Sequence, residues 1–446
     1  MEDKVRSALA SYLAEAESRP TPRPTVRDRR LVSMNGKVDA VIGMRRVGKS
    51  WLLLARMREL LDAGIPRSRL LHIDFEDERL AGLTVEHLQF IEDAFFHRHP
   101  ESHGQPCWYF FDEIQNVVGW EQYVRRLLAD PRRQIAITGS SARLLSSEIA
   151  TAMRGRSLTT ELWPFSFREV LRHRGVEVPS TWPPSAAVRA RLQAEFDRYY
   201  ATGGFPEVLD VSTDIRRAIL QNCTDVAILR DIVERHSVRN VPLLRGLVRR
   251  LVRSVGCLAS VHGLVNDLKS QGFAFGKDLI YELIDHVEDA FLASLLPVDT
   301  QSERRRQVHP RKVYIVDHAL ARAAAMTEDG NHGHALENIV YLELRRRGQV
   351  LGYHVTAGGY EVDFLFQDGE GRRRLVQVCA AIEDPETRAR EVRALAEAMV
   401  EIPGVDAIIV TMANEGVERV GDSDVPVVPV WRWLLEARGT ALAPTA

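Results

Sequence analysis

GMRRVGKS, residues 43–50, spaces two glycines, a lysine and a serine as G-x-x-x-x-G-K-S. Glycine at 43 and 48 lets the backbone curl until its N–H groups face one point, which suits phosphate oxygens. Lys49 can reach the β- and γ-phosphates of a nucleotide, and Ser50 offers a hydroxyl to Mg²⁺. The run Gly43, Met44, Arg45, Arg46, Val47, Gly48, Lys49, Ser50, Trp51 is therefore a candidate nucleotide cradle. Arg45 and Arg46 could contact phosphate or a neighbouring molecule.

A second signal lies in YFFDEIQ, residues 109–115. Asp112 closes an apolar run and can hold Mg²⁺, directly or through water. Glu113 follows it and can polarise an attacking water. The pair favours hydrolysis of ATP over a GTPase switch. TGSS (138–141) ends another apolar run, so Ser140 or Ser141 could lie beside the γ-phosphate or simply cap a helix. Arg154 and Arg156, in AMRGRSL, could reach a phosphate in cis or across a subunit interface, or make surface ion pairs.

The third group is in the tail. EVDFLF (361–366) carries Glu361 and Asp363, and LVQVC (375–379) follows. A carboxylate strand followed by a second strand is how many metal-dependent nucleases hold their ions. The second strand should read (D/E)-x-K, but here those places hold Gln377 and Cys379. Glu337 stands on a helical pattern upstream. Glu337, Asp363 and Gln377 are thus candidate metal ligands with reduced charge, since an amide offers only a carbonyl oxygen. Cys379 cannot orient water or steady charge on phosphate as a lysine would. It reads most simply as a small core residue. Arg390 is the first substitute to consider. The expectation is a nuclease-like domain with absent or feeble cleavage.

These residues need elements to hold them. KVDAVIG, RLLHIDFED, CWYFFDEIQ and QIAITGSS read as strands and alternate with helical patterns, which predicts a doubly wound parallel α/β sheet. Helical patterns continue from about residue 165 to 240. Three more helices and two strand-like runs between 243 and 318 make a winged-helix layout. The tail reads, in order, as helix, three strands, helix, strand. Expected domains are 1–165 (ATPase with an N-terminal helix), 166–240 (helical lid or linker), 241–325 (winged helix) and 326–446 (nuclease-like).

The 446 residues are 45% hydrophobic and 27% charged, an ordinary globular balance. Net charge is −2, so the whole chain carries no nucleic-acid signature. Locally, residues 216–253 hold nine arginines against three acids. Arg304, Arg305, Arg306, Arg311 and Lys312 fall in the expected wing, and Arg372–Arg374 in a hairpin. Such loops suit the backbone of DNA or RNA without base readout. The helix GKDLIYELIDHVEDA, which would read a groove, carries Asp278, Glu282, Asp285, Glu288 and Asp289, which oppose that role. Four separated cysteines argue against zinc and against a disulfide framework. With no apolar run long enough for a membrane span and no signal-peptide core, a cytoplasmic setting is expected.

GMRRVGKS, FFDEIQ, TGSSARLLSSEIATAMRGRS, LWPFSFREVL and YYATGGFPEVL together resemble bacterial and archaeal AAA-type ATPases of the archaeal-ATPase group. LRDIVERHSVRN and HALENIVYLELRRRG fit the same pattern. The resemblance covers about residues 30–415. It implies an AAA+/STAND-like P-loop core, a winged helix, a C-terminal PD-(D/E)XK nuclease-type domain, and ATP and Mg²⁺ as ligands. It gives Lys49, Ser50, Asp112 and Glu113 the ATPase roles. Two functions follow: an ATPase coupled to a nucleic-acid transaction, working as a homo-oligomer if an arginine acts in trans, or an ATP-switched signalling scaffold with slow hydrolysis.

Overall fold

Val38–Ile42 (β1), apolar except for Asp39, is buried along its whole length, as expected of a strand covered on both faces. The computed structural model describes residues 2–140, 155–324 and 332–436. Those residues form two compact units, 1–163 and 164–446.

In the first unit β1 is joined by Leu70–Asp74 (β2), Cys107–Asp112 (β3), Arg133–Gly139 (β4) and Ser157–Glu161 (β5) in a parallel sheet of order β2-β3-β4-β1-β5. This is the doubly wound α/β arrangement that the alternating pattern predicts. β5 has no strand signature, because SLTTE is polar and half-buried at the sheet edge. The sheet order puts the C-terminal ends of β1 and β3 on either side of β4. The phosphate loop follows β1, and Asp112 ends β3.

The second unit begins with helices Phe167–His173, Ala186–Thr202 and Thr213–Val226. The last runs on into a π-helix, Ala227–Glu234. Helices Val241–Arg253, Val261–Ser270 and Lys277–Asp289 then accompany a small antiparallel sheet. It consists of Leu258–Ala259 (β6), Ala293–Leu296 (β7) and Arg311–Ile315 (β8), in order β6-β8-β7. The loop between β7 and β8 is not purely a loop: Glu303–Val308 is a short helix capped by the Ser302 side chain.

Helix His332–Arg347 leads into a six-stranded mixed sheet. Its strands are Gln349–Val355 (β9), Glu361–Gln367 (β10), Arg373–Cys379 (β11), Asp406–Thr411 (β12), Gly416–Val420 (β13) and Ser423–Pro429 (β14), in order β13-β14-β12-β11-β10-β9. β10 and β11 are antiparallel, with Phe364 opposite Val376, so Asp363 and Gln377 are neighbours across the ladder. Cys379 is buried in an apolar cluster with Leu375, Ile382, Leu395 and Ile409, the core role its neighbours suggest. Among the described residues no helix is long and apolar enough to cross a membrane.

Candidate functional site

The phosphate loop is built by close approach. A Cβ on Gly43 would sit 2.2 Å from the Leu162 carbonyl oxygen, so only glycine lets the loop leave β1 at this point. Arg46 (φ 67°) and Gly48 (φ 99°) are left-handed, which turns successive N–H groups toward the start of helix Lys49–Asp62. Arg27, buried, ties the loop down from outside: Nη1 donates to the Val47 carbonyl at 2.8 Å and Nη2 to that of Trp163 at 2.6 Å. Arg27 lies just after the proline-rich run 20–24, and nothing in the local sequence signals this role.

Lys49 is buried, and its ammonium donates to the carbonyls of Gly43 and Met44, both at 3.2 Å. It also lies 3.3 Å from Glu113 Oε1. Glu113 adopts φ 49°, a left-handed conformation that costs a non-glycine residue about 1–3 kcal/mol. Thr138 holds it there: the Glu113 N–H donates to Thr138 Oγ1 at 2.9 Å, and the Thr138 hydroxyl donates to Asp112 Oδ1. Ser50 hydrogen-bonds the same carboxylate. Burial pushes Asp112 up to about 6, against those hydroxyls. Burial also acts on Glu113, but the Lys49 charge and the Gln115 amide outweigh it and hold the carboxyl below its usual range. Asp74, paired with Asp112 in the β2–β3 register, is raised chiefly by burial.

Near the end of β4, Thr138 is fully buried and bridges Asp112 and Glu113, a role the sequence does not signal. Ser140 is buried at the strand end. Ser141 and Arg154 lie outside the described residues. Arg156 is exposed immediately before β5, and its carbonyl accepts from Val38 N–H. Arg45 pairs with Glu76 at 2.8 Å. Trp51, in the first turn of helix Lys49–Asp62, is 54% exposed.

The loop, the buried lysine and the carboxylate pair fit Mg²⁺–ATP. Ser50 and Asp112 would hold the ion, and the loop N–H groups with Lys49 would hold the phosphates. Bound ATP would supply the phosphoryl group to be transferred to water.

The tail holds a second cluster with a feature the sequence hides. Lys312, expected in a basic wing loop, is 2% exposed on β8. Its ammonium lies 2.9 Å from Glu337 Oε1, 2.7 Å from Glu361 Oε1 and 2.7 Å from Asp363 Oδ1. The Tyr314 hydroxyl donates to Glu337 at 2.6 Å, and Val378 N–H donates to Asp363 Oδ2 at 2.8 Å. Gln377 does not aim its oxygen at a cation site: Oε1 accepts from Asp363 N–H at 3.3 Å, and Nε2 donates to Glu391. Arg390 is engaged by Glu391 at 2.6 Å and does not enter the cluster. The ammonium already stands among the three carboxylates where a divalent ion would need to bind. The residues as arranged do not fit a metal-dependent nuclease centre.

The other basic residues are thinner than the sequence suggests. Arg372 pairs with Asp368 and Glu370, and Arg374 approaches Asp406 at 3.7 Å. Arg304 and Arg305 are exposed on the short helix before β8.

Residues 35–171 match a family model described as an AAA domain, and residues 193–331 match one described as a domain of unknown function, DUF8612. The uncharacterized protein MJ1544 of Methanocaldococcus jannaschii is 32% identical over 420 residues, covering 92% of this chain and 90% of that one. An uncharacterized protein of Haemophilus influenzae is 31% identical over 353 residues, covering 78% and 83%. The solved structure of a Walker-type ATPase of Pyrococcus abyssi, 14% identical, covers 72% of this chain and 95% of that one at a TM-score of 0.42.

Proposed function

We propose, from the premise that this chain belongs to the same family as MJ1544 of Methanocaldococcus jannaschii and carries an AAA domain, that it hydrolyses ATP with Mg²⁺ and couples turnover to a nucleic-acid transaction. The observation that carries the ATPase reading is Glu113. It is held in a left-handed conformation by Thr138, beside Asp112 and 3.3 Å from the loop lysine. A carboxylate kept ionised at the edge of a phosphate cradle is placed to accept a proton from water. Lys49 leaves it to meet phosphate when nucleotide enters, so binding itself frees the base.

In this reading the three helices and the β6-β8-β7 sheet act as a winged helix, and the six-stranded sheet is a PD-(D/E)XK-like domain whose cation place is taken by Lys312. Arg304 and Arg305 supply phosphate-backbone contacts. Arg156 is the described arginine offered to a neighbouring subunit. A second reading, an ATP-switched protein-binding scaffold, is favoured by the exposed acids Asp278, Glu282 and Asp285 on the helix that would otherwise enter a groove.

The test is ATP turnover with and without single-stranded DNA, duplex DNA and RNA. Stimulation by any of them, lost in Arg304→Ala with Arg305→Ala, supports the coupled ATPase. Mg²⁺-dependent turnover unmoved by nucleic acid supports the scaffold. No turnover in any condition, or turnover unchanged in Glu113→Gln, overturns the ATPase reading. Turnover per subunit that rises with protein concentration in the wild type, but not in Arg156→Ala, places that arginine in trans.

A further inference from the structure

His236, His286 and Asp289 bring two imidazoles and a carboxylate together away from the nucleotide cradle, with ligand atoms all within 4.8 Å of one another. His286 and Asp289 are three residues apart on helix Lys277–Asp289 and so share a face. His236 follows the π-helix Ala227–Glu234, and the next residue, Ser237, is left-handed (φ 53°) and ends the helical run. Its ring stacks on that of His286 with centroids 3.8 Å apart and planes 13° from parallel.

Three physical features point to a cation. His286 is 8% exposed, yet among the described residues neither ring nitrogen has a hydrogen-bond partner, and Glu282, one turn earlier, approaches Nε2 only to 3.5 Å. A buried imidazole without a hydrogen bond is costly, and a metal ion is one way to satisfy it. All three side chains also lie at the C-terminal ends of their helices, where the peptide dipoles favour positive charge. Finally, a π-helix is rare and, where it occurs, is frequently at a functional site. Here it delivers a histidine to a helix that contributes the other two groups.

We propose that His236, His286 and Asp289 bind one borderline divalent transition-metal ion of the Zn²⁺ class. Two neutral imidazoles and one carboxylate suit such an ion and are poorly matched to Mg²⁺, which prefers an oxygen shell. Zinc–ligand distances of about 2.0–2.2 Å require the ligand atoms to draw together by roughly 1 Å, within reach of side-chain rotation. Three protein ligands leave a fourth position for water or for Glu282. The bound ion would clasp the end of the π-helix to helix Lys277–Asp289.

The experiment uses the full chain, stripped of metal and free of nucleotide, titrated with Co²⁺ as a spectroscopic stand-in for Zn²⁺. The expected result is one equivalent of a visible d–d chromophore, displaced by Zn²⁺ but not by excess Mg²⁺. His286→Gln and His236→Gln should each weaken binding by about tenfold or more, the scale on which even supporting residues of metal sites act. Zn²⁺ should raise the Tm of the wild type and not of either variant. The proposal is overturned if the wild type gives no chromophore, if Mg²⁺ displaces it, or if both variants bind as the wild type does.

Discussion

Lys312 Nζ lies 2.7 Å from Asp363 Oδ1, and both residues are buried. Fifty-one positions separate them in the chain. The contact pins a strand of the small three-stranded sheet to the carboxylate strand of the C-terminal sheet. Lys312→Met should leave Glu337, Glu361 and Asp363 facing one another without a cation. Breaking a buried ion pair from one side typically costs about 3–5 kcal/mol. Denaturant unfolding should show a loss of that order, and added Ca²⁺ should recover part of it in the variant and none in the wild type.

The same cluster makes stability depend on pH. Burial pushes Glu337 up to about 7 from its ordinary 4.5, although Lys312 and the Tyr314 hydroxyl oppose the shift. A group raised on folding holds its proton more tightly in the folded state. Its contribution is fully present below about 4.5 and is lost as pH rises through about 7. Lys312, raised well above its ordinary value against the cost of burial because the carboxylates surround it, stays charged across this window. Wild-type stability measured against Glu337→Gln should therefore fall as pH rises through that interval. A flat difference between the two would contradict this assignment.

Thr138→Val should separate binding from turnover. The methyl keeps the volume but removes the acceptor for Glu113 N–H and the donor to Asp112. Unpaired buried polar groups cost about 1–3 kcal/mol, so the protein should be less stable by that amount. Nucleotide affinity by fluorescent-analogue titration should change little. ATP turnover should drop, because Glu113 loses the contact that fixes its left-handed backbone.

Asp112→Asn should trade function for stability. Burial raises the Asp112 carboxyl from 3.8 to about 6, so an ionised Asp112 is a cost to the ligand-free fold at neutral pH. At 1.36 kcal/mol per pKa unit, the variant should gain about 2–3 kcal/mol at pH 7, shrinking as pH falls below about 6. Mg²⁺-dependent turnover should be lost. Thermal unfolding across pH and an ATPase assay on the same preparations check both halves.

The phosphate cradle and the strands that carry it were legible in the sequence. Their signals are local: glycines at 43 and 48, a lysine and serine beside them, and largely apolar stretches in β1, β3 and β4. Spacing of this kind sets backbone curvature within a few residues, so one chain segment suffices. The helix–strand order of the tail and the core role of Cys379 came through for the same reason. Edge strand β5 did not, because a half-buried polar strand has no pattern of its own. Nor did the part played by Thr138, which depends on which residue of β4 faces Asp112 after β3 and β4 pair. Lys312 is the clearest case. Among arginines in a polar stretch it reads as one more surface charge. Only when β8 packs beside helix His332–Arg347 and β10 does its ammonium meet the carboxylates of residues 337, 361 and 363. A charge's neighbours across the fold, not along the chain, set whether it is solvated or caged, and that was decided by tertiary structure alone.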